Sequence, residues 1–201
     1  DSVMMIGMVS RLVEQKGLDM ILHSLPMVLS KKVQFVVLGT GETHYEIQLT
    51  ELAQYHPDQL KVIIGYNEPL AHRIEAASDV YMMPSTFEPC GLNQIYSQRY
   101  GTVPVVRSTG GLADTVVDTT GESLDGKTAT GFSFRAATPE ALWSAVQRAL
   151  DCFSRTEQWQ QIMVTGMQQD FSWKQSARQY IDLYKRIQTG NSTGPALAEH
   201  K

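Results

Sequence analysis

Two polar stretches hold charged residues where they could bind an anionic or hydroxylated ligand. The first, "SRLVEQKG", follows an apolar run and contains Arg11 and Lys16. Arginine offers a planar fork of donors and lysine a compact charge, so the two together could bind a diphosphate. The alternative interpretation is that both are solvated charges on a surface loop.

The second stretch, "STFEPCGLNQ", places a carboxylate directly before a predicted helix. If the helix starts near Gly91, the backbone N–H groups of Gly91, Leu92 and Asn93 lack intrahelical partners and form an anion site. The carboxylate of Glu88 would repel a phosphate, so it is better suited to accept hydrogen bonds from sugar hydroxyls. Alternatively, Glu88 only caps the helix.

Other candidate residues carry weaker signals. Tyr66 could stack on a base or pack in the core. The Gly-containing stretches "GTGE" and "STGGLADT" could be ordinary turns. Without an assignable His–Asp partner, Cys90 is more typical of a small packed thiol than of a nucleophile. The five histidines show no metal-ligand spacing, and the sequence contains neither a Walker A motif nor a G-x-G-x-x-G after the first apolar run.

Composition limits the class of protein. The chain has 201 residues, 42% of them hydrophobic, which is enough for one sizeable core. A net charge of −4 argues against a nucleic-acid-binding surface. Its two cysteines, Cys90 and Cys152, favour reduced thiols, and no apolar run reaches the ~20 residues of a membrane span. Because the sequence begins almost at once with an apolar run, we expect a fragment of a longer chain, ending in a flexible tail over residues 189–201.

Apolar runs alternate with segments of helical spacing along the chain. Buried strands are predicted at residues 3–9, 33–39, 61–66, 79–85 and 103–108, with a short extended segment at 131–134. Helices are predicted around residues 18–28, 45–52, 69–77, 91–101, 139–152, 156–168 and 173–187, and a polar surface loop at 118–131. This repetition predicts an α/β fold, a doubly wound parallel sheet with helices on both faces.

The candidate residues all follow predicted strands. In an open parallel sheet, ligands bind beyond the carboxyl ends of the strands, so these loops should meet along one edge. They would bring together Arg11, Lys16, Tyr66, Glu88 and two Gly-rich turns. The sequence therefore predicts a pocket for a phosphorylated ligand.

With these motifs in view, the chain resembles the C-terminal, nucleotide-sugar-binding domain of bacterial glycogen synthases and plant starch synthases, retaining GT-B glucosyltransferases. The resemblance covers almost the whole chain. Its most specific parts are "FEPCGL" and "RYGTVPVVRSTGGLADTV". It implies a Rossmann-like fold that forms one lobe of a GT-B enzyme, over residues 1–188. It also implies that the last helix, about 173–187, crosses back toward an N-terminal domain.

The resemblance also implies roles for individual residues. Arg11 and Lys16 would bind the donor diphosphate and, with Glu88 holding the glucose hydroxyls, make up the catalytic set. The remaining implied substrate-binding residues are Tyr66 near the adenine, Cys90, Gly91, Leu92 and Asn93 at the helix start, and Gly110 and Gly111 in a turn near the donor.

One departure narrows the branch of the family. Related retaining glycosyltransferases carry a second glutamate separated from the first by seven residues, where this chain has Tyr96. Many bacterial members have threonine at the position of Asn93, so a hydroxyl contact is lost although the amide contact would remain. The absence of the second glutamate favours the glycogen and starch synthase branch.

The implied activity is transfer of glucose from ADP-glucose to the non-reducing end of an α-1,4-glucan with retention, without metal or cofactor. The acceptor would bind through the missing N-terminal domain, and the isolated domain would turn over little or nothing. Neither nucleic acid nor a membrane is an expected partner, and the compartment would be the bacterial cytoplasm or the plastid stroma. Two alternatives remain open: a retaining GT-B transferase that uses UDP-glucose, and a non-catalytic nucleotide- or glucan-binding module.

Overall fold

A single parallel sheet organises the molecule. The computed structural model describes residues 3–188. Its six strands, in chain order, are β1 (Met4–Val9), β2 (Val33–Gly39), β3 (Leu60–Ile64), β4 (Val80–Met83), β5 (Val103–Arg107) and β6 (Phe132–Phe134). In space they follow the order β3-β2-β1-β4-β5-β6, and every neighbouring pair is parallel. The predicted α/β fold is confirmed.

Helices connect the strands. In chain order they are α1 (Leu18–Leu29), α2 (Thr43–Tyr55), α3 (Glu68–Ala77), α4 (Asn93–Tyr100), α5 (Gly110–Thr115), α6 (Gly121–Asp125), α7 (Pro139–Phe153), α8 (Thr156–Met167) and α9 (Trp173–Gln188). The chain leaves β1 in one direction to build β2 and β3, and then returns to β1's other side to build β4, β5 and β6. Because crossovers between parallel strands are right-handed, α1 and α2 lie on one face of the sheet and α3 and α4 on the other.

The core lies between the sheet and these helices. Ile6, Phe35 and Val105 are almost completely buried, as expected of strands covered on both faces. On one side, α1 packs against α7, and on the other α3 packs against α4. This arrangement leaves the carboxyl edge of the sheet to the loops, and the loops carry the candidate site.

Three segments differ from the sequence prediction. Helix α4 begins at Asn93 rather than Gly91, because Gly91 has a left-handed φ of 71° that cannot continue into a helix. The segment "STGGLADT", predicted as a Gly-rich turn, contains helix α5. The predicted surface loop at 118–131 contains α6, which starts with a capping box between Thr120 and Ser123.

The chain divides into two compact units, one up to Gln169 and one from Asp170 onward. Helix α9 belongs to the second unit, and none of its residues is buried. The predicted tail at 189–201 lies outside the described residues. Within the described part, no helix is both long and apolar enough to cross a membrane.

Candidate functional site

The site lies between β1 and β4, the point at which the strand order in the sheet reverses: β2 and β3 lie on one side of β1, and β4, β5 and β6 on the other. A cavity of about 420 Å³ opens there at the carboxyl edge. We call it the polar cavity; its lining comes from the ends of β1 and β4, from the loops that follow them and from the start of α4. Such a reversal point is where open α/β sheets bind ligands, so the predicted location of the pocket agrees with the geometry.

Lys16 and Glu88 form an ion pair in the polar cavity. The Lys16 Nζ lies 2.5 Å from the Glu88 Oε2, and the Ser85 hydroxyl donates to the same oxygen at 3.3 Å. Glu88 is only 8% exposed. Its second oxygen, Oε1, accepts no hydrogen bond within residues 3–188. The sequence predicted that both residues belong to the pocket, but it gave no sign that they pair.

A close contact between two loops brings this pair together. Gly17, just after Lys16, has a φ of 77°, and a Cβ there would lie 2.2 Å from the Pro84 carbonyl oxygen. Only glycine permits this approach. Nearby, the N–H of Thr86 donates to the Gln15 carbonyl at 2.9 Å, and the Gln15 amide donates to the Phe87 carbonyl at 3.0 Å. The loop after β1 is therefore fixed against the loop after β4.

Arg11 is exposed and lines the polar cavity from the end of β1. Within residues 3–188, its guanidinium forms neither a hydrogen bond nor an ion pair. The backbone of Arg11 is held in place through the next residue instead. Leu12 is fully buried, and its N–H donates to the Thr40 carbonyl at 3.0 Å. Arg11 thus presents an uncompensated positive charge to the cavity from a fixed backbone position.

The start of α4 contributes backbone donors. The N–H groups of Gly91, Leu92 and Asn93 bond to no other residue in the described part of the chain, and all three residues line the polar cavity. These unpaired donors at a helix start favour an anion. Cys90 is exposed and lies outside the residues that line the cavity, and its thiol donates to the Gly91 carbonyl at 3.4 Å.

The Asn93 side chain does not cap α4. Its Nδ2 donates to the Tyr81 hydroxyl at 2.7 Å and to the Val9 carbonyl at 3.2 Å. The Tyr81 hydroxyl donates in turn to the Val9 carbonyl at 2.9 Å and accepts from the Val9 N–H at 3.1 Å. This network joins the end of β1 to the first residue of α4. Sequence reasoning missed Tyr81, because it sits in an apolar run that is typical of a buried strand.

A buried carboxylate lies behind this network. Glu75 on α3 is almost fully buried, and burial raises its pKa above the ordinary value of 4.5. The His72 Nδ1 lies 3.5 Å from the Glu75 Oε2 and opposes the shift. Burial also raises the pKa of Tyr81, so its hydroxyl stays protonated and able to donate.

A second cavity of about 240 Å³ adjoins the first. We call it the Tyr66 cavity, after the aromatic residue at its mouth, which is 86% exposed. Its wall includes Gly39, Thr40 and Gly65, and it shares Arg11 and Asn93 with the polar cavity. The alternative that Tyr66 packs in the core is therefore wrong. The ring stands beside a mostly apolar recess that could hold a flat group.

Gly110 and Gly111 support the site from behind rather than lining either cavity. The Gly111 N–H donates to the Glu88 carbonyl at 3.1 Å and to the Pro89 carbonyl at 3.2 Å. A Cβ on Gly110 would lie 2.1 Å from the Glu88 carbonyl oxygen. The glycine pair thus lets α5 approach the backbone around Glu88.

No group of three or more metal-binding side chains occurs among residues 3–188. The charged and polar groups of the site are instead two cations, one carboxylate, several backbone donors and an aromatic ring. This set suits a ligand with an anionic centre, a hydroxylated end and a flat end.

Comparisons with known proteins identify relatives of the chain. Residues 3–162 match the family described as "Glycosyl transferases group 1". The chain is 50% identical over 187 residues to Glycogen synthase 2 of Nitrosococcus oceani, which covers 93% of the chain and 38% of that protein. It is 52% identical over 183 residues to the glycogen synthase of Hydrogenovibrio crunogenus, covering 90% of the chain and 37% of the relative.

Among solved structures, the chain is similar to the catalytic domain of starch synthase IV from Arabidopsis thaliana, bound to ADP and acarbose. The TM-score is 0.83 and the identity 37%, covering 92% of this chain and 39% of that one. The chain thus spans well under half the length of the relatives it matches.

Proposed function

Because the chain belongs to the glycosyl transferases of group 1, we propose that it is the donor-binding part of a glycogen or starch synthase. In this proposal the donor is ADP-glucose, the acceptor is the non-reducing end of an α-1,4-glucan, and the anomeric configuration is retained. The chain binds the donor but does not transfer glucose by itself, since the acceptor binds to a part of the enzyme outside the 201 residues. The compartment, bacterial cytoplasm or plastid stroma, stays a prediction.

One observation carries the proposal. Arg11, the Lys16–Glu88 pair and the unbonded N–H groups at the start of α4 all face a single cavity, which adjoins the Tyr66 cavity. A nucleotide sugar has three chemically different parts in a row, namely a base, a diphosphate and a sugar. The two cavities and the cationic wall between them offer a matching environment for each part.

The similarity to named relatives supports the choice of substrate. Relatives about 50% identical to the chain are glycogen synthases, and the starch synthase IV structure holds ADP and acarbose. On this basis we place adenine near Tyr66, the diphosphate between Arg11 and the start of α4, and glucose beside Glu88.

The proposed mechanism depends on charge stabilisation. Cleavage of the bond between the anomeric carbon and the diphosphate leaves negative charge on the departing ADP. Arg11, Lys16 and the N–H groups of α4 would stabilise that charge in a site already arranged for it. The ammonium of Lys16 has three donors, so it can keep its bond to Glu88 while it also contacts a phosphate oxygen. The free Oε1 of Glu88 would accept a hydrogen bond from a glucose hydroxyl.

Calorimetry on the 201-residue chain tests the proposal. We expect ADP and ADP-glucose to bind and UDP-glucose to bind more weakly. Arg11→Ala should weaken binding of both adenine nucleotides, because it removes the uncompensated cation of the site. Unchanged ADP binding in Arg11→Ala would refute the pocket assignment, and stronger binding of UDP-glucose would refute the choice of donor.

A second experiment tests transfer. The complete enzyme should elongate a glycogen primer with ADP-glucose, and Glu88→Gln should greatly reduce its turnover. A complete enzyme without any transfer activity would identify the chain as part of a nucleotide- or glucan-binding module instead. Near-normal turnover of Glu88→Gln would exclude Glu88 as a residue that binds the reacting sugar.

A further inference from the structure

Arg107, the last residue of β5, makes an unusual set of contacts. Its Nε donates to the Ser85 carbonyl at 3.0 Å, its Nη1 to the Arg135 carbonyl at 3.1 Å and its Nη2 to the Thr86 carbonyl. No carboxylate within residues 3–188 forms an ion pair with it. The charge of Arg107 is thus used entirely on backbone carbonyls.

These contacts join the end of β5 to two neighbouring loops. Residues 84–92, which we call the Glu88 loop, follow β4, while Arg135 follows β6. Hydrogen bonds from a charged donor are stronger than those between neutral groups, and the guanidinium directs several donors from one rigid plane. Arg107 therefore fixes the first residues of the Glu88 loop against the sheet.

The fixed residues are connected to the carboxylate of the site. Ser85, held through its carbonyl, donates its hydroxyl to the Glu88 Oε2 at 3.3 Å. On the other side of Glu88, the Gly111 N–H holds the Glu88 carbonyl. Both supports come from β5 and the helix that follows it. We propose that Arg107 is a positioning residue that sets the direction of the Glu88 carboxylate toward the sugar of the donor.

Apart from Lys16, whose loop bonds to Thr86 and Phe87 of the Glu88 loop, the rest of the site depends on different contacts. The start of α4 is held by the bonds from Asn93 to Tyr81 and Val9, and the backbone beside Arg11 is held by the bond from the Leu12 N–H to the Thr40 carbonyl. Arg107 contacts none of these residues. Its loss should therefore affect recognition of the sugar more than recognition of the nucleoside diphosphate. This inference depends on the proposed function, because it assumes a nucleotide sugar in the pocket.

The test compares two ligands on the 201-residue chain. Calorimetry gives the dissociation constants of ADP and ADP-glucose, and their ratio isolates the contribution of the sugar. In Arg107→Gln we expect ADP-glucose to bind about fivefold more weakly, as for the loss of one hydrogen bond of typical strength. ADP should change by less than about twofold, the smaller effect expected away from the altered contact. Arg107→Lys keeps the charge and should retain part of the sugar contribution.

Arg148 provides a matched control. Its guanidinium makes four hydrogen bonds, against three for Arg107, to the Asp118 carboxylate and to the Thr119 and Ser133 carbonyls, and it is not part of either cavity. Arg148→Gln should lower the melting temperature while leaving the ratio of the ADP and ADP-glucose dissociation constants unchanged. This comparison separates a general loss of stability from a loss of positioning.

Ser85→Ala gives an independent route if Arg107→Gln does not fold. It removes the hydroxyl that holds the Glu88 Oε2 and leaves the Ser85 carbonyl in place. It should therefore weaken the binding of ADP-glucose more than that of ADP, as Arg107→Gln does. Two results would overturn the inference and leave the proposed function standing. One is that Arg107→Lys weakens the binding of ADP and of ADP-glucose equally. The other is that Ser85→Ala leaves the ratio of the two dissociation constants unchanged. A wild-type chain that binds neither ligand would overturn the proposed function and the inference with it.

Discussion

Among the charged residues of the site, Lys16 and Glu88 pair with each other and Arg11 is exposed, and the residues next to them in sequence predict neither. Lys16 and Glu88 are 72 positions apart in sequence, and their contact depends on how two loops meet. The spacing of charged residues after apolar runs was sufficient to select both of them. It could not predict that they pair, because pairing is decided by the loop contact at Gly17.

The Lys16–Glu88 pair can be tested with a double-mutant cycle. Lys16→Met leaves the carboxylate of Glu88 mostly buried without its cation, so we expect the free energy of unfolding to fall by about 1–3 kcal/mol. Once Glu88→Gln has removed the charge, the same Lys16→Met change should cost much less. Urea denaturation of both single variants and the double variant gives the coupling. Additive effects would indicate that the pair does not contribute to stability.

The raised pKa of Glu75 predicts a pH dependence of stability. Between the ordinary pKa and the raised one, the folded state keeps a proton that the unfolded state has lost. The stability due to this group is thus present at low pH and is lost as pH rises through the raised pKa. We expect Glu75→Gln to gain stability relative to the wild type as pH rises from 4.5 to neutral.

Urea denaturation across this pH range measures the difference. Because the His72 Nδ1 lies 3.5 Å from the Glu75 Oε2, the comparison is repeated in a His72→Gln background. Asp79, whose pKa is also raised by burial, is present in all variants and cancels. A constant difference between Glu75→Gln and wild type at every pH would contradict the prediction.

At the scale of elements, the Tyr81 hydroxyl holds strand β1 against helix α4. Tyr81→Phe leaves the Val9 N–H and the Asn93 amide without this partner, so the free energy of unfolding should fall by about 1–3 kcal/mol. Because the start of α4 would then be less fixed, ADP should bind about fivefold more weakly, the equivalent of one hydrogen bond.

Tyr45→Phe is the control for Tyr81→Phe. Tyr45 is equally buried, and its hydroxyl donates to the Asp19 carboxylate at 3.0 Å, on a contact between α2 and α1. Its loss should reduce stability without changing the ADP affinity measured by calorimetry. Equal effects of the two variants on ADP affinity would remove the special role of Tyr81.

Regular elements were easier to predict from sequence than the short helices. Continuous apolar runs predicted all five longer strands. Strands β1, β4 and β5 are largely buried, and a strand covered on both faces needs apolar residues at nearly every position, whereas the edge strand β3 is only partly buried. Strand β6 is short, but "GFSF" was sufficient to predict it as extended. Helix α5 was missed, because its two glycines favour a turn locally; their close approach to the Glu88 and Cys90 carbonyls explains why they are needed.

At the scale of the whole molecule, the alternation of strands and helices predicted where the candidate residues would meet. That prediction used only the rule that ligands bind at the carboxyl edge of a parallel sheet. It could not distinguish the residues that line the cavities from those that support them. Gly110 and Gly111 were predicted near the donor, yet they contact the backbone of the Glu88 loop. Arg107 and Tyr81 were not selected, since nothing in their local sequence separates them from ordinary strand residues.

The unit up to Gln169 should fold without the rest of the chain. It contains every buried residue of the described part of the chain, whereas α9 has no buried residue and exposes large side chains such as Trp173 and Tyr184. We expect a chain truncated after Gln169 to keep its melting temperature within about 2 °C, as for a change that removes no residue of the described core. Calorimetric unfolding of both chains measures this. A large loss of stability would show that residues 170–201 contribute to the core.

The placement of the site between β1 and β4 also has a kinetic consequence. The residues of the polar cavity come from two segments about 70 positions apart and meet only when β4 pairs beside β1. Contacts of such long range carry a large entropic cost and are typically formed late in folding. If the chain binds a nucleotide as proposed, the nucleotide can therefore recognise only the nearly complete sheet. ADP should slow unfolding and leave the refolding rate unchanged in stopped-flow fluorescence. Faster refolding with ADP would indicate that the strand pair is already formed in the transition state.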